Sequence, residues 1–163
     1  MALNPEVRER ATYVGLIGLF LSLFGLFAGP IRKRGHETPI RPFDVALLSF
    51  ATYRAGRLAA YDRVSEPLRA PVTETEEDEY GAGENVVAQG EGVRKAFGEL
   101  ISCPTCFGTW VAAGLVYGMQ IAPGPTRLAA TMIGVAGAAE VIDSAVEALT
   151  WSGQAARKRS APE

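Results

Sequence analysis

Residues 11–29, ATYVGLIGLFLSLFGLFAG, contain no charged side chain. In hydrocarbon every backbone N–H and C=O must be satisfied inside the segment, so a lone run of this kind is confined to a helix. At about 1.5 Å per residue it reaches about 28 Å, close to the thickness of the hydrocarbon layer. Arg8 and Arg10 precede the run, and Pro30 with Arg32, Lys33 and Arg34 closes it. A cleaved secretory leader has a shorter apolar centre and a small-x-small cleavage site. The run is too long for that and shows no clear site of this kind before Pro30, so a retained anchor is expected.

Two further apolar segments follow near the C-terminal end. Residues 103–122 carry only Gln120 and hydroxyls as polar groups, and Pro123-Gly124-Pro125 then sets a tight turn. Residues 128–139, LAATMIGVAGAA, open the last run, which continues through Glu140, Asp143 and Glu147 on one helical stripe. Residues 43–61 differ: their uncharged part, Val45 to Tyr53, is as helix only about 14 Å long, half a bilayer. Arg54 and Arg57 follow, three apart on one face. This pattern predicts a helix lying in the interface or dipping in from one side, its arginines reaching headgroups.

The expected fold is therefore all-α and polytopic. It has three transmembrane helices (about 11–29, 103–122 and 127–148) and one amphipathic or re-entrant helix over 43–61. Residues 1–10 form an N-terminal tail, 11–151 one helical membrane domain, and 152–163 a basic tail. The connection over 70–92 includes TETEEDEYGAGEN, acidic and poor in apolar residues, and is expected to be a mobile, solvated loop. Basic residues in short loops mark the cytoplasmic side. Arg32, Lys33, Arg34 and Arg41 in one loop and Arg157, Lys158 and Arg159 in the tail fall on the same side if 43–61 does not cross.

Small residues recur four apart in each span: Gly25 and Gly29, Gly114 and Gly118, and Ala130, Gly134 and Ala138. Lipid tails give helices no hydrophobic reason to associate, so close backbone approach matters, and these sets predict a compact bundle or a homo-oligomer. Tyr13, Trp110 and Trp151 fall near span ends, as an aromatic belt requires. Carboxylates within a span need partners. Arg54 and Arg57 are the partners expected for Glu140 and Asp143, in one ion-pair layer.

The net charge of −2 gives no nucleic-acid footprint. Two cysteines cannot staple a secreted fold. The single histidine, His36, lies far from them in sequence, so no metal site or cofactor is expected within one chain. Cys103-Pro104-Thr105-Cys106 opens the second long run. Ser102 or Cys103 suits a helix cap and Pro104 the first helical turn. A cysteine there meets unpaired amides and the positive dipole end, which favours the thiolate. Three readings stay open: a redox-active dithiol, a four-thiolate zinc site shared by two chains, and small thiols packed at a helix start.

Two stretches carry a resemblance. LLSFATYRAGRLAAYDRVSEPLRAP, Leu47 to Pro71, presents Ala51, Thr52, Arg54, Arg57, Leu58 and Asp62; LISCPTCFGTWVAA, Leu100 to Ala113, presents Cys103, Pro104, Cys106 and Trp110. Together they resemble a family of small bacterial membrane proteins of unassigned function that includes a Bacillus sporulation-associated member. The resemblance covers roughly residues 43–145, with residues 11–29 and the acidic insertion as additions. It implies a membrane location, here the inner membrane of a bacterium, and a shared architecture, but no known activity. Charge suggests that Arg54, Arg57, Asp62 and Arg69 order a lipid- or partner-binding surface.

The functional expectation is a non-catalytic structural or accessory membrane component, in contact with lipid and assembling with itself or with other membrane-complex subunits. The alternative is a membrane thiol-disulfide oxidoreductase using Cys103 and Cys106. A nucleophile-base pair for other chemistry is not evident.

Overall fold

A computed structural model describes residues 5–34, 39–77 and 84–160. His36 and the centre of the acidic stretch, residues 78–83, lie outside the described residues. The helices are α1 (Pro5–Arg34), α2 (Pro42–Ala60), α3 (Glu66–Arg69), α4 (Val93–Ser102), α5 (Pro104–Ile121) and α6 (Pro123–Ser160), with a 3-10 turn at Arg63–Ser65. Two helices, α1 over Arg10–Gly29 and α6 over Pro123–Ala155, are long and apolar enough to cross a membrane. A third such unit exists if α4 and α5, bent by 85° at Cys103, are counted as one span.

Starts and stops follow local chemistry. Pro42 occupies the first turn of α2, where its missing N–H costs nothing, and Asp44 accepts a hydrogen bond from the Arg41 backbone N–H at 3.0 Å. Cys103 caps α5: its Sγ accepts from the Cys106 N–H at 3.2 Å, and Pro104 takes the first helical position. Pro123, just after the break at Ala122, starts α6 and lets the chain reverse.

The packing gives the helix directions. Tyr13 meets Glu99, Phe20 meets Trp110, and Phe27 meets Tyr117, so α1 runs parallel to α5. Thr52 lies at Gly108 and Gly56 at Pro104, so α2 runs antiparallel to α5. Asp44 pairs with Arg127, Leu47 packs on Gly134, Phe50 on Gly137, and Arg57 pairs with Glu140, so α2 runs parallel to α6. The small buried core, Leu48, Ala51, Met119 and Ala130, sits where α2, α5 and α6 meet, with Leu47, Leu115 and Ile133 packed around it.

Residues 43–61 fall in the central helix: α2 is not among the helices long and apolar enough to cross a membrane by themselves, and it touches α5 and α6 along its length. Glycine makes this possible: a Cβ at Gly134 would stand 3.0 Å from the Leu47 carbonyl oxygen, and one at Gly137 3.0 Å from the Arg54 Cβ. Close backbone approach replaces the apolar length that α2 lacks. The amphipathic helix that turns away from a span is α4, with Val93, Ala96, Phe97 and Leu100 at helical spacing.

The all-α expectation is corrected within the acidic connection. Residues 73–77 and 84–88 pair as an antiparallel hairpin, β1 and β2, in the register Thr73↔Ala88, Glu74↔Val87 and Thr75↔Val86. Acidic composition masked two short β-branched stretches, and α4 supplies the surface they need. A Cβ at Gly98 would collide with the Val72 carbonyl and stand 2.8 Å from the Ala88 Cβ, so the hairpin rests on the α4 backbone. The Gln89 N–H donating to the Val72 carbonyl at 2.9 Å closes its base.

The small-residue sets divide. Ala130 is buried and Gly134 carries Leu47, whereas added Cβ atoms at Gly25, Gly29 and Gly114 would meet nothing within 4 Å. Gly118 faces Thr126 across the turn.

Candidate functional site

The C-terminal half of α2 places Arg54 and Arg57 against α6. Arg57 donates to Glu140 at 2.5 Å, and Arg54 Nε lies 3.6 Å from the other Glu140 oxygen. Arg54 also donates to Asp62 at 2.5 Å, just beyond the end of α2. The Arg57 guanidinium stands 5.8 Å from the Tyr53 ring centre and 5.4 Å from that of Tyr61, both in cation–π range. Two cations are thus matched by Glu140 and Asp62, and Arg57 gains two aromatic faces.

Arg69 and Asp143 differ from their sequence expectation. Arg69 is 5% exposed rather than part of a binding surface. Its Nη1 donates to the Asp62 carbonyl at 2.6 Å and to Ser65 Oγ at 3.3 Å. The 3-10 turn folds back so that the Asp62 carbonyl points inward, and Arg69 is a donor within reach of it. Asp143 is exposed and joins no ion pair among the described residues. It lies nearly one turn beyond Glu140, past the last arginine that α2 presents.

At the opposite end of α2, Asp44 is buried and receives Arg127 at 2.9 Å. Sequence reading missed this pair because Asp44 and Arg127 flank apolar runs instead of interrupting them, so neither stood out as a charge inside a span that calls for a partner.

Cys103 and Cys106 sit at the α4–α5 bend, with their Cα atoms 5.2 Å apart and their sulfurs joined as a disulfide. Among the described residues no group of three or more His, Cys, Asp or Glu side chains is gathered in one place. Two openings flank the bend. A groove of about 660 Å³ runs between α2 and α5 from Ile40 to Thr105, with Arg57 on its wall. A cavity of about 540 Å³ lies between α1 and the bend, lined by Tyr13, Phe20, Glu99, Cys103, Cys106 and Trp110 among others. The Tyr13 hydroxyl donates to Glu99, and Phe20 meets Trp110 edge-on at 4.9 Å.

The tertiary structure also brings the two sequence stretches into contact. The Ala51–Asp62 stretch and the cysteine turn, some forty residues apart, meet where Gly56 faces Pro104. These features define a mostly helical protein with two or three units able to cross a membrane, built around an arginine-bearing helix that buttresses a Cys-Pro-x-Cys turn. The chain belongs to the family described as "Protein of unknown function (DUF1360)", whose model matches residues 47–146. It is similar to the "Sporulation protein YjcA" of Bacillus subtilis (strain 168), 33% identical over 110 residues, which are 66% of this chain and 93% of that protein. Helix α1 lies outside the family match. No solved structure matches the chain.

Proposed function

We propose that this chain is a non-catalytic integral membrane component, a structural or accessory subunit that assembles with itself or with a larger complex in the bacterial inner membrane. Helix α6 carries the reading. Every described residue from Val141 to Ala155 is exposed, and Ile142, Val146 and Leu149 form an apolar strip on it. A helix this long, apolar on one side and uncovered by its own chain, calls for lipid or a partner. The arginine layer supports the same reading, because Glu140 and Asp62 engage Arg54 and Arg57 internally and brace the bundle. Native mass spectrometry of the full chain from mild detergent tests this. A homo-oligomer or a stoichiometric partner is expected; a lone monomer in both detergent and nanodiscs sinks the proposal.

Helix α2 enters as a fourth crossing element in this proposal. Its nineteen residues match the hydrocarbon thickness at about 28 Å, and its two arginines travel with carboxylate partners.

A second reading, thiol–disulfide exchange at Cys103 and Cys106, is favoured by one observation. The bonded pair sits at the start of an 18-residue helix, where the Cys106 N–H already points at the Cys103 sulfur. Released thiolate at Cys103 gains from that amide and from the helix dipole. A midpoint potential outside the physiological range, measured against glutathione, rules the reading out.

A further inference from the structure

We propose that the cavity between α1 and the α4–α5 bend binds a quinone-class two-electron carrier beside Cys103 and Cys106. The inference rests on the thiol-exchange reading and adds its electron acceptor. Three features of the cavity point to this class.

First, the disulfide is part of the wall, so a molecule in the cavity touches a redox-capable group directly. Second, the volume of about 540 Å³ falls in the range of small-molecule sites, and the lining is almost wholly apolar, with Leu16, Ile17, Phe20 and Trp110 offering carbon surface. Third, charge discriminates among two-electron carriers. Flavin and nicotinamide cofactors bring phosphates, which need cations or a helix N-terminus free to receive them. The lining contributes the carboxylate of Glu99 and no lysine or arginine; Lys95, 3.8 Å from Glu99, is already paired with that carboxylate. A neutral quinone ring meets no such conflict, and its isoprenoid tail partitions into the hydrocarbon that α1 and α5 face. Helix α1, outside the family match, supplies the facing wall, so the site is a property of this chain with its added helix.

The exchange balances as follows. A substrate dithiol attacks Cys106, the more exposed sulfur, and displaces Cys103 as the thiolate held by the Cys106 N–H. The second substrate thiol then closes the substrate disulfide and releases Cys106. In the return step the Cys103–Cys106 S–S bond re-forms. Two electrons pass to the quinone ring, and the two thiol protons end on its two oxygens, giving quinol. Glu99, on the same wall and hydrogen-bonded by Tyr13, is placed to relay a proton.

The test uses the full chain in nanodiscs, reduced with dithiothreitol, freed of reductant under anaerobic conditions and mixed with decylubiquinone. Quinol formation is read by absorbance and thiols by a maleimide gel shift. One quinol and one disulfide per chain are expected, with a rate that saturates as quinone rises. Ile17→Trp, which adds bulk to the cavity lining, is expected to abolish saturation. Quenching of Trp110 fluorescence by decylubiquinone in a Trp151→Phe background reports binding without the cysteines. A rate that stays linear, equals that of a reduced Cys-Pro-Thr-Cys peptide and is indifferent to Ile17→Trp overturns the quinone site while the thiol-exchange reading stands. Inertness toward glutathione as well removes both.

Discussion

The Pro104 carbonyl lies directly against Gly56, so the cysteine turn rests on the backbone of α2 with no side chain between them. A Cβ at position 56 would collide with that oxygen and stand 3.2 Å from the Pro104 carbonyl carbon. Backbone cannot move aside as a flexible side chain does. Gly56→Ala is therefore expected to destabilise the fold by about 1–3 kcal/mol, the usual cost of overpacking, and Gly56→Val by more. Thermal unfolding in one detergent, compared with Gly114→Ala, checks this. At Gly114 the added methyl meets open space, and its effect should be small. Equal shifts for the two variants would sink the contact.

Arg57 and Glu140 should be coupled energetically. A double-mutant cycle with Arg57→Ala and Glu140→Ala is expected to return an interaction of about 0.5–3 kcal/mol, as contacting charged residues do. The figure should lie toward the lower end, because the Arg57 side chain is 41% exposed. Asp143→Ala, one turn further on, should leave stability within about 0.5 kcal/mol of the parent. A cycle that closes to zero means the pair contributes nothing.

The contact of Asp44 with Arg127 at 2.9 Å should matter to the joint of α2 and α6. Asp44→Asn leaves the Arg127 guanidinium without its carboxylate and is expected to lower the unfolding temperature in one detergent. Asp143→Asn, at an exposed position without an ion pair among the described residues, should change it little. Equal shifts for the two variants would contradict the contact.

Labelling can decide whether α2 crosses. In a Cys103→Ser, Cys106→Ser background, single cysteines at Ile40, Thr75 and Gln154 report three places around the bundle. With α2 crossing, Ile40→Cys reacts with an impermeant maleimide from one side, and Thr75→Cys and Gln154→Cys react from the other. Labelling of Ile40→Cys and Thr75→Cys from the same side means α2 returns without crossing.

The covalent sequence by itself determined which segments are long and apolar enough to cross a membrane, where α5 begins and which residue types stand at its start. An uncharged run of nineteen residues, a proline after a capping cysteine and an arginine pair three apart are local facts, and local backbone chemistry acts on them directly. Glu140, the carboxylate that Arg54 and Arg57 share, was also within reach, because charges in an apolar setting have few partners available; Asp62 as a partner of Arg54, and Asp143 standing apart, were not. Three features were settled only by tertiary structure: the central place of α2, the docking of the hairpin on α4 and the contact of Gly56 with Pro104. Each depends on how closely two backbones approach, and that distance is set by glycines on one element meeting a surface far away in the chain. Periodicity and charge carry no record of that meeting. For the same reason Arg69 looked like a surface cation, although the fold turns it inward onto the Asp62 carbonyl and the Ser65 hydroxyl.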